Sequence, residues 1–118
     1  MADIPPTFRL SVPDDFGVDV AVEGGDAVVT VRGELDVLTA PFLWERMEPI
    51  LPGVTGALVF DFADLGFIDS MGLGVIVRAQ SRLRGVEPAR QVVVRHANAH
   101  ARKVFEITGL DRILRLEP

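Results

Sequence analysis

From residue 57 onward, apolar runs of strand length alternate with stretches of helical spacing, and that alternation leaves few folds open. ALVFDFADL (57–65) has the density of a buried central strand. After it the spacing turns helical. At about 100° per residue, Gly72, Val75, Ile76, Ala79 and Leu83 share the core face, while Ser70, Gly74, Val77 and Ser81 fall opposite, flanked by Leu73 and Arg78. Gly85 is the expected end of this helix. QVVVRH (91–96) reads as the next strand. NAHARKVFEITGL (98–110) follows as a helix with Ala101, Val104, Phe105 and Ile107 inward and Gly109 as its stop, and RILRLE (112–117) is a last strand. Strands separated by helices pair in parallel through right-handed crossovers.

The first half adds an antiparallel edge. VDVAVEG (18–24) and AVVTVRGELD (27–36) flank the turn Glu23-Gly24-Gly25-Asp26, which predicts a hairpin. Thr39-Ala40-Pro41 then supplies a helix start, with Thr39 as the capping hydroxyl and Pro41 in the first turn. Phe42, Leu43, Arg46, Met47, Ile50 and Leu51 fall near one stripe, with Glu45 and Glu48 outside it. Pro49 should weaken or end that helix, and Pro52-Gly53 should stop it. The expected order is β-β-α-β-α-β-α-β, an α/β fold with a mixed sheet of four to five strands and helices packed on it. Residues 1–17, with three prolines and Gly17, read as a flexible N-terminal arm, and residues 18–118 as one folded domain.

Composition narrows the function. Cysteine is absent, which removes disulfide scaffolds, thiolate zinc sites and cysteine catalysis. A net charge of -5 argues against nucleic acid or an anionic membrane as the partner, because both demand clustered positive charge. MADIPPTF lacks the basic-then-apolar pattern of a secretory leader, and no apolar stretch approaches the ~20 residues of a membrane span. The cytoplasm is the expected location.

Most chemistry the motifs suggest fails on local pattern. A nucleophile elbow around Ser70 wants glycine two residues earlier, where Ile68 stands. His96 and His100 straddle a strand-to-helix junction and read as surface residues; no histidines and carboxylate share metal-ligand spacing on one element. Gly72-Leu73-Gly74 lacks a third glycine, since Val77 occupies that place, so a dinucleotide loop is not expected. Asp61, Asp64 and Asp69, with Glu34 and Asp36, only loosely imitate an acidic phosphoacceptor pocket, and the one lysine, Lys103, lies in the last helix. No catalytic residue, metal site or cofactor is expected.

Ser70 remains, at the helix entrance. It or Asp69 can cap the free backbone amides there. The same amides, with the positive end of the dipole, would let the fold tolerate a phosphoserine, while about -1.5 to -2 added charges beside Asp69 would repel a docking partner. Gly74 leaves room for another backbone to approach, and Leu73 and Val77 bring apolar surface nearby. Taken alone, these features fit packing under a neighbouring loop equally well.

At GELD (33–36), FDFADLGFIDSMGLGVIV (60–77) and FEITGLDRILRLE (105–117) the chain resembles the STAS domain family, specifically the bacterial anti-sigma factor antagonists. The resemblance runs from about residue 18 to 118 and implies a STAS-like mixed sheet. It also implies a partner: an anti-sigma factor that is a serine kinase of the GHKL type, whose binding frees a sigma factor. By the same likeness the kinase phosphorylates Ser70 to end the interaction, and a PP2C-type phosphatase restores it. Asp36, Asp69, Met71, Gly72, Leu73, Gly74 and Val77 are the implied partner-binding residues. Met71 stands where the family usually has Ser or Thr. An alternative within the family is a constitutive STAS interaction subunit of a lipid-transport or stress-sensing complex without phosphorylation, and exposed apolar residues leave room for a homodimer.

Overall fold

Gly24 and Gly25, both at positive φ (58° and 91°), close the expected hairpin between β1 (Gly17–Glu23) and β2 (Asp26–Leu35), with Glu23 opposite Asp26. The structure is a computed structural model that describes residues 13–86 and 90–118. Most of the arm expected over residues 1–17 therefore lies outside the described residues. Within them, Phe16 already packs against the core.

Beyond the hairpin come α1 (Ala40–Met47), a 3₁₀ segment (Glu48–Gly53), β3 (Leu58–Asp61), β4 (Leu65–Ile68) and α2 (Ser70–Val86). The chain continues through β5 (Val92–Arg95), α3 (Ala99–Thr108), a short 3₁₀ turn (Leu110–Arg112) and β6 (Arg115–Glu117). The sheet order is β1-β2-β3-β5-β6, with β1 antiparallel and the rest parallel. Pro49 ends the α-helix as its missing N–H demands, and the chain tightens into the 3₁₀ segment.

One strand more than expected is present, because ALVFDFADL is not one strand. The Asp61 carboxylate accepts the Ala63 amide at 3.0 Å and Leu65 N donates to Phe62 O at 3.0 Å, so the chain turns over residues 62–64 and restarts as β4. β3 pairs with β2 at residues 27–30, and β4 pairs with the same strand at residues 33–35, after a register shift between Gly33 and Glu34. The two short strands lie end to end along β2. The sheet is thus five strands wide, with six strand segments.

Phe60, Phe62 and Phe105, together with Leu35, Leu43, Met47, Leu58, Ile68, Ile76 and Leu83, are the largest of the fully buried core side chains. Three assignments of helical face shift. Leu73 is buried, at 7% exposure, because the first turn of α2 is pressed onto the sheet. Ile107 is 74% exposed and Phe42 36%, since each helix meets the sheet along a narrower stripe than the apolar pattern suggests. Gly85 does not stop α2, which runs on to Val86, whereas Gly109 does end α3.

Candidate functional site

Leu35 pairs with Ile68 at the C-terminal ends of β2 and β4, and the Asp69 amide donates to the Leu35 carbonyl at 3.1 Å. The residues that follow, Asp36 and Asp69, leave the sheet as neighbours. Each then caps a helix entrance. Asp69 Oδ1 accepts Met71 N at 2.9 Å and Gly72 N at 3.2 Å, while its carbonyl accepts Leu73 N at 3.0 Å. Ser70 is consequently the first residue of α2, exposed, with a hydroxyl that the cap does not need. Because Asp69 already holds the amides of residues 71 and 72, a phosphate on Ser70 would not find them free. The tolerance expected from those two amides is removed, while that from the helix dipole remains.

Thr39 stands at the N-cap position of α1, but its hydroxyl does not cap the helix. It is 1% exposed, makes no capping bond into the helix, and has helical φ and ψ (-97°, -24°). Instead Asp36 Oδ1 accepts Leu38 N at 3.0 Å and Thr39 N at 3.2 Å, and Thr39 Oγ1 accepts Asp36 N at 2.9 Å while donating to Glu34 O at 2.7 Å. This reciprocal arrangement has the logic of a capping box, with Asp36 as the cap three residues upstream. It locks the GELD segment against the start of α1.

The glycines of α2 divide into two roles. A Cβ on Gly72 would lie 2.7 Å from Leu35 Cγ, 2.8 Å from Leu35 O and 2.9 Å from Ile68 Cγ1, so glycine is what lets α2 sit down on the paired strand ends. Gly74 meets nothing within 4 Å and is exposed. Met71 is 50% exposed and Val77 half-buried. Of the seven implied partner-binding residues, Met71 and Gly74 present open surface, Asp36, Asp69 and Val77 are half-buried, and Gly72 and Leu73 are packed inside.

Between α1 and α2 runs an open groove of about 410 Å³. Pro41 and Trp44 form one wall, Met71, Gly74 and Arg78 the other, and Ser70 lines the end nearest the helix entrance. The Arg78 guanidinium lies 4.1 Å from the Trp44 ring centroid and that of Arg82 5.4 Å, with Arg82 also bonded to Glu48 at 3.1 Å. Sequence reasoning missed Trp44 and gave Arg78 only a flanking place. The two are far apart in the chain, and α1 carries no pattern that marks its partner.

On the other side of the entrance, α3 covers the free edge of β4. Asn98 caps α3 through Ala101 N at 2.8 Å and donates to Leu65 O at 3.2 Å and Gly66 O at 3.3 Å. His100 Nε2 donates to Ile68 O at 3.2 Å, and its ring stacks on Phe67 with centroids 5.1 Å apart. Both histidines are exposed, as expected, yet both are engaged. Asp61 accepts Arg95 Nε and His96 Nδ1, each at 3.1 Å. Burial pushes the Asp61 carboxyl up, but the Ala63 amide, the His96 and Arg95 hydrogen bonds and the His96 charge together outweigh it and hold its pKa below 3.8. Asp61, Asp64 and Asp69 do not converge: the first builds a turn, the last a cap.

Among the described residues, no helix is long and apolar enough to cross a membrane. Residues 18–116 match the family model described as "Mlab, STAS domain". The chain is 32% identical over 107 residues to the anti-sigma-F factor antagonist RsfB of Mycobacterium tuberculosis, covering 91% of this chain and 85% of that one. It is 31% identical over 101 residues to the anti-sigma-B factor antagonist of Bacillus subtilis, covering 85% and 89%. Among solved structures it resembles an anti-sigma factor antagonist from Mycobacterium paratuberculosis, with a TM-score of 0.76, 33% identity, and 92% and 90% of the two chains covered. Paired strand ends, a capped helix carrying an exposed serine, and these similarities agree: the chain belongs to the STAS domain family, among its anti-sigma factor antagonists.

Proposed function

We propose that this protein binds an anti-sigma factor that is also a GHKL-type serine kinase, thereby freeing a sigma factor, and that phosphorylation of Ser70 by that kinase ends the binding. A PP2C-type phosphatase removes the phosphate and resets the protein, and the exchange takes place in the cytoplasm. The observation that carries this reading is the division of labour at the helix entrance: Asp69 does the capping, so the exposed Ser70 hydroxyl is available for chemistry. Met71 in place of Ser or Thr costs the cap nothing, because the amides of residues 71 and 72 are bonded to Asp69.

The switch is electrostatic. A phosphate adds about -1.5 to -2 charges beside the fixed Asp69 carboxylate, and like charges forced together at an interface cost several kcal/mol. Binding is lost without unfolding the domain. Incubating the protein with ATP and each candidate kinase from its own genome should raise the intact mass by one phosphate, mapped to Ser70. Ser70→Asp should then bind that kinase at least about tenfold more weakly than Ser70→Ala, or about 1.4 kcal/mol. Equal affinities for the two variants, or full binding with no mass change, would return Ser70 to the constitutive-subunit alternative.

A further inference from the structure

The groove between α1 and α2 ends in a cation that has no acid. Among the described residues Arg32 is paired with Asp19, Arg82 with Glu48, Arg95 with Asp61 and Arg115 with Glu117, while Arg78, like Arg46, Arg84, Arg102 and Arg112, forms no ion pair. Its guanidinium is held over the Trp44 ring instead. Of the described cations without an acid, Arg78 is the one fixed over an aromatic ring at the lip of an apolar groove.

We propose that this groove receives an acidic amphipathic helix of the anti-sigma factor, with an Asp or Glu side chain of that helix meeting Arg78; the proposal rests on the partner reading given above. Three features select that occupant. Pro41, Trp44 and Met71 offer apolar surface of the kind that takes the anchor residues of a helix laid in a groove. Gly74 meets nothing within 4 Å, so a foreign backbone can approach α2 there. Arg78 supplies a single positive charge whose guanidinium is already oriented by Trp44, so little rotamer freedom is lost on pairing.

The spacing also links the groove to the switch. Ser70 and Arg78 are eight residues apart on α2, which is about 12 Å along the helix axis. A bound helix would thus lie with its acid at the Arg78 end and its opposite end over the Ser70 hydroxyl, where an added phosphate meets it. Arg78 and Trp44 set which partner is recognised, and Ser70 sets whether it stays.

Trp44 is the only tryptophan of the chain and reports on the groove directly. The full-length protein is titrated, without ATP, with each purified anti-sigma kinase of its own genome after that kinase's tryptophans are replaced by phenylalanine. The expected result is a change in Trp44 emission with the cognate kinase, affinity lower by about tenfold or more for Arg78→Glu, a smaller loss for Arg78→Gln, and a flatter salt dependence in both. Arg115→Gln, on β6, should bind like the parent, and thermal melts should show all variants folded.

Parental binding with Arg78→Glu equally tight, or with Trp44 emission unmoved at saturation, overturns the groove assignment and leaves the partner reading intact. No binding by the parent to any kinase overturns both. Emission that shifts with the protein's own concentration, matched by a dimer in sedimentation, assigns the groove to a second copy and overturns the proposal.

Discussion

The Asp69 amide donates to the Leu35 carbonyl at 3.1 Å, and that bond joins the end of β2 to the start of α2. Everything near the exposed serine depends on it. It places two aspartates side by side where parallel strands end, and each aspartate then caps the turn that follows.

The first consequence concerns capping. Asp69→Ala should lower unfolding free energy by about 1 kcal/mol, within the 0.5–2 range for lost helix caps. Ser70→Ala should stay within about 0.5 kcal/mol of the parent, because its hydroxyl carries no capping bond. Urea unfolding of both variants measures this. A larger loss for Ser70→Ala than for Asp69→Ala would reverse the assignment of the cap.

The two glycines of α2 should respond in opposite directions to alanine. Gly72→Ala drives a methyl against Leu35 and Ile68 at under 3 Å and should destabilise by about 1–3 kcal/mol. Gly74→Ala meets open space and should stabilise the helix by up to about 1 kcal/mol. Partner binding should nevertheless weaken for Gly74→Ala, since the methyl fills the approach to the groove. A Gly74→Ala variant that is both more stable and equally tight-binding would show that no backbone passes there.

Asp61 should shape the acid limb of stability. Its folded pKa is lowered, so the unfolded chain binds the proton more readily. Asp61 therefore contributes stability that is present above the unfolded value near 3.8 and is lost as pH falls through the lower folded value. Asp61→Asn should be less stable at neutral pH and should fall less steeply below about pH 4. Parallel slopes for parent and variant in acid titrations of unfolding would contradict this.

Core and pattern part company on α3. Phe105→Ala, fully buried, should cost about 3–5 kcal/mol. Ile107→Gln, at 74% exposure, should change stability by no more than about 0.5 kcal/mol, although helical spacing alone makes Ile107 an inward residue. Thermal melts of the pair separate the two cases.

The architecture was largely legible in the sequence because it rests on local signals. The double glycine makes the hairpin, Pro49 ends α1, Gly109 ends α3, and the alternation of dense strands with helical spacing imposes parallel pairing. The exposed Ser70 at a helix entrance followed from the same periodicity. Where a side chain replaced a backbone bond, local signals failed. Asp61 breaks ALVFDFADL into two strands by capping Ala63, and Asp36 takes the capping role that the order of residues suggested for Thr39. Both carboxylates compete with the backbone for amides, and only the fold decides which amide each one reaches.

The sequence by itself determined the order of the elements apart from the break between β3 and β4, the family and the serine at the mouth of α2, since periodicity, turn residues and a contiguous motif are properties of neighbours along the chain. Tertiary structure alone decided that Asp69 rather than Ser70 does the capping, that Leu73 faces inward and that Trp44 holds Arg78 across a groove. These relations depend on how closely α2 settles on the ends of β2 and β4 and on α1. That distance is fixed by packing between residues far apart in the chain, for which no local pattern exists.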